Sequence, residues 1–278
     1  MRRTILTALL AILLPLGTQA QTETHVDLFA GVDLSYRDIH WNKLFEVLVN
    51  ITPGVRMRIG DGWQMAGQVI VPVYNDYGAY YSKVRLGMAT VSKELLLGAN
   101  HLKLSAGMFS GERYGLDAKW MLPVNSWLAL DAQLGFTGRW SAQLGEGSVP
   151  DRLTGWGGVR VWLDRWATEG RIRGGRFIYG DWGVIGEGYR HFRHCSVGAY
   201  GQWGDKGGFG AGFKVIVLLP PYKRTDRTLN LRPASNFILS HNVIADSYSL
   251  RTYDTDPEEN EREGVFSKAT WGPYSLER

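Results

Sequence analysis

The residues with the clearest chemical capacity are cations that recur on the polar side of the alternation: Arg56, Arg58, Lys83, Arg85, Lys103, Lys119, Arg139, Arg160, Arg171, Arg173 and Lys214. Arg56 and Arg58, Lys83 and Arg85, and Arg171 and Arg173 stand two positions apart, the spacing that puts side chains on one face of a β-strand. Asp27, Asp33, Glu46, Asp117, Asp131 and Glu169 fall on the same alternating face, so it carries both signs with a positive bias. If that face lines the inside of a barrel, its cations lower the energy of an anion lodged or passing there. If the ions instead pair with one another, the same face is a packed interior. Residue types alone leave both readings open.

Groups that could do bond-making chemistry do not converge. His191, His194 and Cys195 suggest a metal cluster, but positions i and i+3 on a strand point to opposite faces. His101 and Ser105 share a face, yet at ~3.3 Å per residue they are too far apart for the direct hydrogen bond a Ser–His nucleophile needs. The glycine-rich run 207–212 lies inside strand patterning, not ahead of a helix, so it is a poor phosphate loop. The sequence predicts no catalytic residue, no metal and no cofactor.

The elements that must position the cations are long amphipathic strands. Over residues 126–140, Leu128, Leu130, Ala132, Leu134 and Phe136 alternate with Ala129, Asp131, Gln133, Gly135 and Thr137. Period two over that length is the mark of a strand between unlike solvents, and it approaches the ~9–11 residues a tilted strand needs to cross a bilayer. Similar alternation recurs at 25–36, 47–59, 63–73, 82–91, 101–109, 113–121, 153–163, 168–176, 195–203 and 209–219, and weakly at 182–192. Pro53 should mark a bulge or bend in its run. Trp63, Trp120, Trp127, Trp140, Trp162, Trp182 and Trp203 stand near strand ends, as aromatic girdles would. The expected fold is all-β: a single transmembrane up-and-down antiparallel β-barrel of about twelve strands with a mostly irregular C-terminal tail. Strands this long disfavour a secreted β-sandwich.

Composition agrees. The 278 residues include 35 Gly, 13 Tyr, 11 Trp and one Cys, with a net charge of +4. The single Cys195 excludes an intrachain disulfide, and the mild charge gives no basis for nucleic-acid binding. Arg2 and Arg3, the apolar run Ile5 to Leu16 and Thr18-Gln19-Ala20 read as a cleaved signal peptide, residues 1–20. The barrel is expected over 21–220. From Pro220-Pro221 the alternation fades and an acidic run, Asp254 to Glu263, marks 221–278 as a partly disordered periplasmic tail. These features together place the chain in the outer membrane of a Gram-negative bacterium, in contact with lipid, with its oligomeric state open.

One segment carries a family resemblance. Gly175-Arg176-Phe177-Ile178-Tyr179-Gly180-Asp181-Trp182-Gly183 resembles the Gly-Arg-Tyr-x-x-Gly-Asp-Trp-Gly segment of the YjbH family of outer-membrane proteins. Tyr189-Arg190-His191-Phe192, the hairpin at Asp205 to Gly208, the strand Phe213 to Pro220 and Arg232-Pro233 follow in matching order, and the most specific positions are Gly180, Asp181, Trp182 and Gly183. The resemblance implies a non-catalytic barrel that assists secretion or surface assembly of an exopolysaccharide or capsule. It implies as partners an anionic polysaccharide and other export proteins. The residues equally fit an anion-preferring porin; an outer-membrane enzyme acting on lipid fits less well, for want of a catalytic constellation.

Overall fold

The structure, a computed structural model, describes residues 24–39, 43–141, 145–206, 208–219, 228–244 and 252–259. The expected signal peptide and much of the expected tail lie outside these residues. Fifteen strands run in chain order: β1 (Thr24–Ile39), β2 (Lys43–Ile59), β3 (Trp63–Asn75), β4 (Arg85–Leu97), β5 (Asn100–Phe109), β6 (Arg113–Pro123), β7 (Leu128–Ser141), β8 (Glu146–Gly147), β9 (Arg152–Leu163), β10 (Thr168–Arg176), β11 (Trp182–His191), β12 (Cys195–Gly204), β13 (Gly208–Leu218), β14 (Leu229–Pro233) and β15 (Asn236–Ile244).

From β1 to β13 each wall strand pairs antiparallel with the next, and the two-residue β8 only extends the end of β7. β15 lies antiparallel on β13 and closes the ring by pairing in parallel with β1, from Asp33 opposite Ile238 to Arg37 opposite Asn242. The result is a closed all-β barrel of thirteen strands. An odd count dictates the parallel seam, because strands that alternate up and down leave the thirteenth running the same way as the first. The wall therefore extends past residue 220, through β14 and β15, into the stretch expected to be tail. β14 pairs with the first half of β1, Val26 opposite Leu229, and the junction at Ala234-Ser235 takes up two extra residues before β15 resumes the seam.

Which face points where follows from the alternation. Leu134, Ile172 and Leu231 face outward and are 55%, 64% and 73% exposed, whereas Lys103, Asp131 and Arg173 face inward at 4%, 4% and 7%. Apolar side chains outside and charges inside invert the arrangement of a barrel built for water. β11 follows the same rule: its outward positions include Gly186 and Gly188, which is why its alternation is weak, while Ile185, Glu187 and Tyr189 point in. The bulge expected at Pro53 occurs elsewhere. β1 pairs with β2 straight through Pro53, and the register slips between Val49 and Asn50, where Val73 of β3 is extra. A second slip near Leu86 turns Met88 inward and Leu86 outward, against the single face expected for both.

Outward or rim tryptophans mark the two ends of the barrel. Trp127 and Trp166 lie at the end with the short turns, and Trp140, Trp182 and Trp203 lie at the other. Trp162 departs from the expected girdle: it turns inward, packs on Met121 and Ala129, and stacks on His191.

Candidate functional site

The interior is occupied by the chain itself. β15 ends beside Gly210 at the rim opposite the 60–62 turn, and residues 252–259 lie within the lumen. At that rim the Ser110 N–H donates to the Asp254 carbonyl (3.1 Å), and the Asp254 N–H donates to Ser110 Oγ (2.8 Å). Tyr253 stacks on Phe109 with ring centroids 5.2 Å apart and packs with Ile178, and its hydroxyl donates to Asp117 at 2.7 Å. Gly135 makes this possible: a Cβ there would sit 1.9 Å from the Tyr253 hydroxyl.

Deeper in, three carboxylates meet cations from four strands. Asp256 accepts from Arg56 of β2 and from Gln64 of β3, with Lys103 of β5 at 3.7 Å. Glu258 accepts from Arg56 (2.6 Å), from both ends of the Arg232 guanidinium (2.7 and 2.6 Å) and from the Ser235 N–H (3.0 Å). Glu259 pairs with Lys119 of β6 at 2.5 Å and accepts the Thr255 N–H. The acidic run read as part of a tail outside the barrel thus supplies, through these residues, counter-ions to the basic face.

The plug's titration follows from these contacts. Burial by itself would raise the Asp256 carboxyl, but the Arg56 and Lys103 charges outweigh it and hold the group well below its ordinary value. For Glu258 burial is likewise overcome, chiefly by the Arg232 hydrogen bonds and the Arg56 charge. Glu259 is held at about 2, burial being overcome by Lys119 and Lys103. Burial, reinforced by Asp117, pushes the Tyr253 hydroxyl far above the ordinary tyrosine value, so it stays a donor.

A second network lies on the wall across the lumen. Asp131 accepts from Arg160 (2.8 Å) and pairs with Arg171; Arg173 pairs with Glu187 (2.7 Å) and Arg171 approaches it at 3.8 Å. Glu169 lies 3.6 Å from Arg160 and 3.5 Å from His191, whose Nδ1 is 2.8 Å from Ser196 Oγ. Trp156 lies beneath Arg171 and Arg173, each 5.0 Å from its ring centre, and donates to Gln133. A cavity of about 160 Å³ separates this network from the plug, with Lys214 on its lining.

The expected basic face is therefore divided. Arg56, Lys103 and Lys119 bind the plug, and Arg160, Arg171 and Arg173 pair with wall acids. Lys214 lines the cavity, Arg58 is exposed near the turn end of β2, and Arg85 starts β4 with its guanidinium over Tyr81. Two members are not lumenal. Lys83 is exposed in the connection before β4, and Arg139 is exposed at the rim, 3.4 Å from Glu112, past the last β7–β9 pair at Thr137. Gly180, Asp181, Trp182 and Gly183 form a tight turn into β11, with Gly180 at φ 77° and the Phe177 N–H bonded to the Asp181 carbonyl. That turn folds Phe177 and Ile178 into the rim, where Ile178 meets Tyr253, so its visible role is to shape the mouth. Glu187 and Tyr253 were not singled out from sequence; Arg232 entered only through the family resemblance, and Asp256, Glu258 and Glu259 only as part of an acidic run read as tail. The signal available was the mismatch between a basic strand face and a nearby acidic run. His191 bonds to Ser196 instead of joining His194 and Cys195, and among the described residues no group of three or more His, Cys, Asp or Glu side chains could hold a metal ion.

The fold and the site define a class: a charge-filled β-barrel plugged by its own acidic segment. No protein-family model matches the chain, and no curated protein matches it.

Proposed function

We propose that the chain is an outer-membrane β-barrel that serves, without catalysis, in the secretion or surface assembly of an anionic exopolysaccharide, with its lumen obstructed at rest by residues 252–259. The observation that carries this reading is the inverted polarity of the wall, apolar outside and charged inside, together with carboxylates already seated on the inward cations. A lipid bilayer suits the outer face, since burying that belt in hydrocarbon is favourable where leaving it in water is not. The YjbH resemblance at Gly180 to Gly183 supplies the polysaccharide and the export partners. A plugged lumen disfavours a general porin. An anion-preferring channel is the second reading, favoured by Lys119, Arg160, Arg171, Arg173 and Lys214 around the residual cavity.

Deleting the gene in its host tests this. The expected result is a loss of surface or secreted uronate-containing polysaccharide that the intact gene restores. Unchanged polysaccharide with slowed uptake of small anions would replace this reading with the channel.

A further inference from the structure

We infer that Arg56, Lys103, Lys119 and Arg232 form a binding track for a linear polycarboxylate, occupied at rest by Asp256, Glu258 and Glu259 and vacated when an outside polymer takes their place. This rests on the proposed role with an anionic polymer and locates that polymer's site within it.

Three features carry it. First, the four cations come from β2, β5, β6 and β14, far apart in sequence, yet converge on one short acidic peptide, so charge complementarity to a chain of carboxylates is built into the wall. Second, the peptide is attached by its side chains more than its backbone. Among the described residues its one backbone–backbone hydrogen bond to the wall is from Ser110 to Asp254, so it can leave without breaking a strand ladder. Third, exchange is far cheaper than opening. Withdrawing the segment alone strips Arg56 of both its counter-ions and leaves Lys103 with only Glu94 (4.0 Å), Arg232 with only Asp27 (3.6 Å) and Lys119 with only Asp117 nearby, whereas an incoming row of carboxylates keeps all four fully paired. That requirement selects a polyanion. A neutral glycan cannot supply it, and a free carboxylate cannot match the gain from several linked contacts.

The test uses the full chain in liposomes, with Cys195→Ser removing the native thiol. Thr255 is fully buried in the plug, so the cysteine in Thr255→Cys should resist a charged thiol reagent at rest. Polygalacturonate should expose it to labelling. Dextran, and galacturonate monomer at equal carboxylate concentration and ionic strength, should not. In a separate chain, Ser110→Cys with Asp254→Cys joins positions whose backbones are already in contact, near enough for a disulfide. Polygalacturonate should bind that chain when reduced and lose binding when it is oxidised. Equal binding to both forms, or no labelling response to the polymer, overturns the inference while leaving the barrel reading in place. A response to monomer as strong as to polymer also overturns it, in favour of a site for free anions. A chain that does not insert as a barrel removes the reading beneath it.

Discussion

Gly135 is where a single methyl group would decide the state of the lumen. Alanine there would place Cβ 1.9 Å from the Tyr253 hydroxyl, forcing the ring off Phe109 and breaking its bond to Asp117. Gly135→Ala should therefore cost the plug about 1.5–3 kcal/mol, the range for a hydrogen bond to a charged group. Hydrogen exchange should show faster exchange at 253–255 with the wall strands unchanged; slower exchange or no change would contradict this. The acidic contacts set the pH response. Asp256, Glu258 and Glu259 have carboxyls held below their ordinary values, so their contribution is fully present above the unfolded range of ~4 and is lost as pH falls through the folded values. The plug should be seated at pH 7, begin to loosen below roughly pH 4, and lose the Glu259 contact near pH 2. The ionic current of the inserted chain across that range reads the change directly. Across the lumen, Arg171→Glu would set like charges against Asp131 and Glu187 and should destabilise the wall by about 3–5 kcal/mol in urea unfolding.

At the scale of strands, period-two alternation was legible because the two faces meet different surroundings over ten or more residues. β6 and β7 follow their expected faces closely: Asp117, Lys119, Asp131 and Gln133 point in, and Leu116, Leu134 and Phe136 point out. What alternation cannot show is register. The extra Val73 and the slip near Leu86 depend on how neighbouring strands pair, so the faces of Leu86 and Met88 were not readable from spacing. β14 was hidden for another reason: five residues, ending in proline, are too few to establish a period. The plug has no period at all, and its place in the lumen depends on partners as distant as Arg56 and Lys119. The outward face gives a test of its surroundings. Leu134→Arg should cost about 2–4 kcal/mol in folding into lipid vesicles if that belt faces hydrocarbon near mid-depth. A change within about 0.5 kcal/mol, as expected at a water-facing surface, would count against a membrane.

For the whole molecule, the wall and the plug are one electrostatic system. Thirteen strands close on a parallel seam, and β14 at that seam contributes Arg232, which grips Glu258. Closure of the barrel and occupation of its lumen are thus joined through the last strands of the chain. Neutralising the plug with Asp256→Asn, Glu258→Gln and Glu259→Gln removes its ion pairs with the wall, leaving only the Tyr253 contacts and the Ser110–Asp254 bonds, while the wall network around Asp131 and Glu187 stays paired. The most direct test is the ionic current through the refolded full chain in a planar bilayer, before and after these three changes. The account predicts insertion with little steady current for the unaltered chain and sustained openings for the neutralised one. Wide steady openings in the unaltered chain, or failure to insert at all, would contradict it.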